Sequence, residues 1–329
     1  MVRRPGRPGR ITVMSQNRFT TASVVGTGMM GPGIALTLAL GGIRVTLLSR
    51  TAEGAAQGMK KAREQGRVLT ANQLAGTAEV ERALERLDGS TDFDRSVAGA
   101  ALVVESGPED LGWKQDLFGR MDGLTRPDAV LASNTSGLSI TAIAARCTRP
   151  ERVLTTHFWN PPHLMPLVEI VQGGKTSTEV AREVRDLLAG CGKTPVVVRK
   201  DRPGQLGNRL QMALLREAAN IVAEGIADAE DVDTVARNGF GLRMPAYGIF
   251  EHQDVVGLDL GLRVVEYVAQ DLYNEPRAPE YFRELVRQGH LGAKTGRGFY
   301  DWSVKSADAV RARRDAFLVE VLRYRRSQP

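Results

Sequence analysis

The chain reads as an α/β protein, a Rossmann-like doubly wound parallel sheet followed by an all-helical domain. Three observations predict this. A glycine turn, Gly26-Thr27-Gly28-Met29-Met30-Gly31, joins a short apolar run to a helix-forming run. Short Val/Leu/Ala-rich runs then alternate with helix-compatible segments as far as Val198, the pattern of a mostly parallel sheet with helices on its faces. Beyond Gly204 the apolar spacing changes to every fourth residue, and no strand pattern returns before Lys294.

In order, Ala22–Val25 is a β-like run leading directly into the glycine turn, and Ile34–Leu40 is helix-forming up to Gly41-Gly42. Pro32 falls in the first turn of that helix, where its missing N–H is not needed. Arg44–Leu48 is the second strand, which completes the strand, glycine turn, helix, strand order of a dinucleotide site. The segment Ala52–Gly89 is polar and helix-prone. Strand runs follow at Ala101–Glu105, Ala129–Ser133 and Arg152–Thr156, with a helix over Gly112–Leu124 between the first two. Leu167–Val171 is β-like, and Thr194–Val198 reads as the last strand. Asp201-Arg202-Pro203-Gly204 is a turn signal and a domain boundary. Leu210, Leu214, Ala218 and Val222 form a helical stripe; further helices are expected at Glu230–Arg237, Gly257–Leu272, Pro279–Gln288 and from Ala307 to the basic Arg323-Tyr324-Arg325-Arg326. The expected domains are a disordered basic leader (1–18), a dinucleotide-binding domain (19–202) and a helical substrate and dimerisation domain (203–329).

With 329 residues, 42% apolar and 25% charged, the composition is that of an ordinary globular protein. No apolar run approaches the roughly 18 residues of a membrane span. The net charge of +6 includes Arg3, Arg4, Arg7 and Arg10, and without them it falls to +2, too little to indicate a nucleic-acid partner. The leader has no apolar h-region, and Met14 is an alternative initiator. Cys147 and Cys191 have no motif spacing; they read as buried thiols in a reducing, cytoplasmic setting, with no metal expected.

The glycines of the turn let a backbone approach a pyrophosphate, whose charge is favoured at a helix N-terminus. The expected cofactor-binding residues here are Gly26, Gly28, Met29, Met30 and Gly31. Ser49 and Arg50 stand where an acidic residue usually holds the adenosine ribose. A hydroxyl and a guanidinium suit a 2′-phosphate, so the cofactor is NAD or NADP with a lean towards NADP; the alternative is that Arg50 stacks on adenine while NAD binds. His157, near the end of an apolar run, suits a general base because an ordinary imidazole titrates at roughly 6.5. Glu169, twelve residues on, is the carboxylate that fixes its tautomer. Glu109, Asn134 and Ser136 also follow strand runs, at the sheet edge where such folds bind ligands. Lys60, Lys61, Arg63 and Arg67 form either a solvated helical face or a patch for an anionic substrate tail.

Taken together, GTGMMGPG, VVES-PED, SNTS, HFWNPP with LVEIV, DRPGQLGNR, VGLD and KTGRGFY resemble the 3-hydroxyacyl-CoA dehydrogenase superfamily over about Ser23–Trp302. The resemblance implies a Rossmann domain followed by a helical dimerisation domain, and hence a homodimer. It implies that His157 is the catalytic base with Glu169 as its partner, that Ser136 bonds the substrate oxygen, and that Asn208 helps position the substrate carbonyl. It implies that Glu109, Lys114 and Asn134 lie around the nicotinamide ribose.

The chain departs from the acyl-CoA pattern after the Asn-Pro pair, where it reads Pro162-His163-Leu164-Met165-Pro166. This version is similar to branches that use free hydroxy acids, L-gulonate 3-dehydrogenase with λ-crystallin, and to the pyridine-carboxylate dehydrogenase of pyridoxine breakdown. His163 is therefore a candidate contact for a substrate carboxylate or, beside two prolines, an exposed side chain. Tyr247-Gly248-Ile249-Phe250-Glu251-His252 departs from the family's Gly-Pro-Phe-Glu, which points to an altered substrate pocket. The expected activity is NAD(P)-dependent oxidation of a secondary alcohol beside a carboxyl or thioester, on a small hydroxy or keto acid or an acyl-CoA. The alternatives are a true L-3-hydroxyacyl-CoA dehydrogenase and a nucleotide-binding sensor or structural protein without turnover.

Overall fold

The computed structural model describes residues 18–327, so the basic leader, Arg18 apart, lies outside the described residues. One sheet of eight strands comprises β1 (Thr21–Val25), β2 (Arg44–Leu48), β3 (Leu87–Ser90), β4 (Leu102–Glu105), β5 (Val130–Ser133), β6 (Val153–Phe158), β7 (Leu167–Gln172) and β8 (Thr194–Val198). Their spatial order is β3-β2-β1-β4-β5-β6-β7-β8. The first six are parallel, β7 runs antiparallel to β6, and β8 runs parallel to β7. The order reverses between β1 and β4, and the crevice beyond their carboxyl ends is where such sheets bind ligands.

The helices alternating with these strands are α1 (Gly31–Leu40), α2 (Ala52–Ala71), α3 (Thr77–Leu84), α4 (Phe93–Ala98), α5 (Leu111–Leu124), α6 (Ile140–Ile143) and α7 (Thr178–Gly190). Their starts follow local chemistry: Thr51, Asp92, Asp110 and Ser139 each accept an N–H from the first turn of α2, α4, α5 and α6. Each face of the sheet carries its own core. Val24, Leu47, Val104 and Leu154 pack with α1 and α2 on one side, and Val103, Leu131 and Val153 pack with Phe118 and Met121 on the other. Strands buried on both faces are apolar at most positions, which is why they read as near-continuous apolar runs.

Two expectations are corrected. The polar segment after Ala52 holds a strand as well as helices. Leu87-Asp88-Gly89-Ser90 is the edge of the sheet, and only one neighbour and one turn of backbone bonds specify it, so its sequence needs no apolar alternation. His157 does not follow a strand but lies within one, because β6 extends to Phe158.

The chain divides into two compact units, one made of residues up to Asn208 together with those from Arg313 onward, the other of Arg209–Ala312. Helices α8 (Gly207–Ala223), α9 (Ala229–Asn238), α10 (Phe240–Arg243), α11 (Ile249–Val256), α12 (Leu258–Val268) and α13 (Glu280–Arg287) follow β8. The last helix, α14 (Ala307–Ser327), returns to the first unit: Val319 lies in its core and Arg323 Nε donates to Asn72 O at 3.0 Å. Within the second unit, Tyr273 N donates to Glu217 and the Tyr300 hydroxyl donates to Asp233, both at 2.8 Å. Helices α9–α13 bury no residue, and Phe250, Val255 and Tyr267 are each more than four-fifths exposed. No helix among the described residues is long and apolar enough to cross a membrane.

Candidate active site

The β6–β7 pair sets His157 directly opposite Glu169, and cross-strand neighbours in an antiparallel ladder have side chains within contact distance on one face. His157 Nδ1 lies 2.8 Å from Glu169 Oε2, with both side chains almost fully buried. Given to the carboxylate, the Nδ1 proton leaves Nε2 as the acceptor of the neutral ring. Glu169 takes three further bonds. Trp159 Nε1 donates to Oε2 at 3.1 Å, and Leu206 N and Gly207 N donate to Oε1 at 2.9 and 2.8 Å. Burial acts to raise the Glu169 pKa, but these donors, led by His157, outweigh it and hold the carboxyl below its ordinary value. The result is a buried anion with four donors, ready to stabilise an imidazolium.

Residues 205–208 tie this pair to the loop after β5. Gln205 Nε2 donates to Thr135 O at 2.9 Å and Asn208 Nδ2 to Ser136 O at 2.7 Å, while the two intervening amides hold Glu169. Gln205 is buried with φ of 50°, a left-handed conformation uncommon outside glycine. Of the sequence candidates, His157, Glu169, Ser136 and Asn208 are thus brought together, with the Ser136 side chain at the surface of the cluster.

A second polar cluster lies at the carboxyl ends of β4 and β5. Glu109 Oε1 accepts from Thr135 Oγ1 at 2.6 Å, Ser136 N at 2.9 Å and Gly137 N at 3.0 Å. Partial burial acts to raise its pKa, but the Thr135 hydroxyl, Lys114 and the two amides lower it below the ordinary value. Asn134 Oδ1 accepts Phe158 N at 2.8 Å, so it anchors the end of β6. Lys114 is not brought to the surface. Its ammonium is buried 2.6 and 2.8 Å from the two oxygens of Glu105 and 3.6 Å from Glu109 Oε2.

The glycine turn opens at the switch point between β1 and β4. Gly26 has φ of 120° and lies against the Ser106 carbonyl, so neither the conformation nor the space admits a side chain. Gly31 is packed as tightly against Gly26 O, whereas a Cβ on Gly28 would meet open space. Helix α1 begins with no side-chain cap and no acidic residue in its first turn. An uncapped helix start behind an open glycine backbone fits a dinucleotide pyrophosphate, and Met29 and Met30 flank it, Met29 72% exposed. At the end of β2, Ser49 Oγ lies 3.4 Å from Thr27 Oγ1, and the exposed Arg50 makes no ion pair among the described residues.

Comparison with known families decides the lineage. The chain matches "3-hydroxyacyl-CoA dehydrogenase, NAD binding domain" over residues 21–202 and "3-hydroxyacyl-CoA dehydrogenase, C-terminal domain" over residues 204–302. The chain belongs to the 3-hydroxyacyl-CoA dehydrogenase family. It is 35% identical over 302 residues to 5-formyl-3-hydroxy-2-methylpyridine 4-carboxylate 5-dehydrogenase of Mesorhizobium japonicum, covering 92% of this chain and 96% of that one. It is 37% identical over 287 residues to the human mitochondrial hydroxyacyl-coenzyme A dehydrogenase, covering 85% and 90%. Among solved structures, the pyridine-carboxylate 5-dehydrogenase, described as an NAD+-dependent dismutase, superposes with a TM-score of 0.86 at 32% identity, over 94% of this chain and 100% of that one. (S)-3-hydroxybutyryl-CoA dehydrogenase of Ralstonia eutropha superposes with a TM-score of 0.72, also at 32%, over 86% and 99%.

Against this 3-hydroxyacyl-CoA dehydrogenase framework, three further side chains take part that the sequence did not single out. Trp159 and Gln205 support the β6–β7 pair, and Glu105 anchors Lys114. A carboxylate closing the apolar run Leu102-Val103-Val104-Glu105 was the available signal, because a charge at a buried strand end requires a partner. His163 packs beside the first turn of α1, within the electrostatic reach of Lys193 and of Arg314 and Asp315 of α14. Its Nδ1 is buried without a hydrogen bond. Lys60, Arg63 and Arg67 lie on the exposed face of α2, with Lys61 half-buried. Cys147 and Cys191 are free and partly buried, and burial foremost pushes both thiols up to about 12.

Proposed function

We propose that this protein catalyses reversible hydride transfer between a nicotinamide cofactor and a secondary alcohol beside a carboxyl or thioester group, with His157 as general base and acid. The observation that carries the reading is the in-register contact of His157 Nδ1 with a buried, four-donor Glu169 at the ligand-binding edge of the sheet. The bound nicotinamide supplies the hydride acceptor in one direction and the donor in the other. His157 Nε2 takes the hydroxyl proton, and Glu169 stabilises the imidazolium that results. The Ser136 hydroxyl and Asn208 hold the reacting oxygen, and Asn134 and Glu109 border the nicotinamide ribose, with Lys114 acting on it through Glu109. Positioning of this kind, with general base catalysis worth about 10²–10⁴, accounts for the chemistry.

For the substrate, the reading favours a free acid over a CoA ester. The Pro162-His163 departure and the 302-residue alignment with a pyridine-carboxylate enzyme support it. For the cofactor, Arg50, exposed beside Ser49 and with no ion pair among the described residues, supports acceptance of a 2′-phosphate, hence use of NADP in addition to NAD. The exposed apolar surface of α9–α13 supports a homodimer, since apolar patches of this extent mark interaction surfaces. Free thiols held in the protonated form suit the cytoplasm.

The test is a panel of hydroxy acids, pyridine-carboxylate alcohols and 3-hydroxyacyl-CoA esters, run with NAD and with NADP. Turnover of free acids above CoA esters is expected. The reverse ranking, with a raised KM when Lys60, Lys61 and Arg63 are neutralised, would make this an L-3-hydroxyacyl-CoA dehydrogenase. No turnover with any of them would instead favour a nucleotide-binding sensor.

A further inference from the structure

We propose that Trp159 is a positioning residue for the His157–Glu169 pair: its indole N–H shares the carboxylate oxygen that faces the imidazole, and so limits how strongly Glu169 holds the proton-carrying ring. The proposal rests on the reading of His157 as the base.

The geometry is specific. Trp159 lies two residues beyond His157, and its Nε1 reaches Glu169 Oε2, the same oxygen that His157 Nδ1 contacts. The two rings sit 5.6 Å apart, tilted by 52°. The six-membered ring of the indole lies against Gly207, where a Cβ would collide with Cζ2. Gly207 is also one of the two backbone donors to the opposite oxygen, Oε1. Indole and carboxylate therefore both meet the chain at Gly207, whose amide holds Glu169. Among the described residues, the ion pair of the imidazole is with Glu169. The remaining donors to Glu169, Trp159 and the amides of Leu206 and Gly207, are neutral.

Two donors on one oxygen compete for its electron density. With the indole in place, part of that density is committed to a neutral N–H that never ionises. Without it, Oε2 is left to the imidazole alone, the imidazolium gains stability, and the ring keeps its proton to higher pH. Neighbouring hydrogen bonds alter one another by about 10–30%, so loss of the indole N–H should raise the His157 titration midpoint by a few tenths of a pH unit.

Histidine-selective 15N NMR titration of the full chain tests this without a substrate, because the protein has four histidines and a His157→Ala sample assigns the resonance. Two variants are compared with wild type. Trp159→Phe removes the N–H and part of the ring, while β-(3-benzothienyl)alanine at position 159 keeps the ring and removes only the N–H. The midpoint is expected to rise in both, and the acid limb of kcat/KM for alcohol oxidation to move up with it while KM for the cofactor stays put. An unchanged midpoint in the benzothienyl variant overturns the proposal even if His157→Ala is inactive. Wild-type turnover in His157→Ala would overturn the base assignment itself, whatever the NMR result.

Discussion

Two buried carboxylates stand near the ligand-binding edge of the sheet, and they contrast instructively. Glu105, at the end of β4, accepts from the Lys114 ammonium, from Gly107 N at 2.6 Å and from Ser133 Oγ at 2.6 Å. Glu169, on β7, accepts from an imidazole, an indole and two amides. Both are almost fully buried, and both have their oxygens filled by donors. They differ in the titratable partner. A lysine ammonium keeps its proton at neutral pH, so a carboxylate–lysine pair is an anchor. An imidazole gains and loses one near neutrality, so a carboxylate–histidine pair can pass through a catalytic cycle. Burial and hydrogen bonding alone therefore do not mark the active carboxylate; the identity of its partner does.

The largest effect expected from this contrast is on stability. Lys114→Met leaves the Glu105 charge buried and unpaired, which costs about 3–5 kcal/mol. Urea unfolding should register it, and the double variant Lys114→Met/Glu105→Gln should recover most of the loss. A cost below about 1 kcal/mol would erase the distinction between anchor and working pair. Next in size is Glu169→Gln, whose amide oxygen still accepts N–H bonds but cannot stabilise an imidazolium. A fall of about 10²-fold in kcat, equivalent to about 2.7 kcal/mol, is expected with cofactor affinity nearly unchanged in a fluorescence titration.

His163 provides a third case, a titratable ring shut in without a charge partner of its own. Burial first, then the neighbouring Lys193 and Arg314 cations, push it down to about 4 from the ordinary 6.5, against the opposing pull of Asp315. Its folded-state value is depressed, so the unfolded chain binds the proton first. Stability should then fall as the pH drops from about 6.5 towards 4, by on the order of 3 kcal/mol. His163→Gln should flatten that limb in unfolding curves collected across the range, and an unaltered slope would assign the acid sensitivity to other groups. The smallest effect concerns Arg50. Arg50→Ala should lower kcat/KM for NADP about tenfold, the loss of one charge-assisted contact, and leave NAD unaffected; equal losses with both would mean that Arg50 serves the adenine instead.

Much of this was legible in the sequence for a physical reason. Strands covered on both faces need mostly apolar residues, so β1, β2, β4, β5 and β6 stand out, as does the glycine turn, whose backbone must approach a ligand. The polar edge strand Leu87–Ser90 lacks that constraint and stayed hidden. His157 and Glu169 were legible as a base and a carboxylate in or beside β-like runs, although the cross-strand register that joins them belongs to the fold. The amides of Leu206 and Gly207 carry no side-chain signature, and so they could not be read at all. Trp159 looked like one more apolar residue because its role depends on which carboxylate its N–H meets.

The central claim, that His157 moves the proton in this site, is tested most directly by His157→Ala in two parallel measurements. These are a fluorescence titration of the reduced cofactor and single-turnover hydride transfer with the best substrate of the panel. The account predicts cofactor affinity within about twofold of wild type and a transfer rate lower by about 10³-fold or more. Hydride transfer at the wild-type rate in that variant would contradict it.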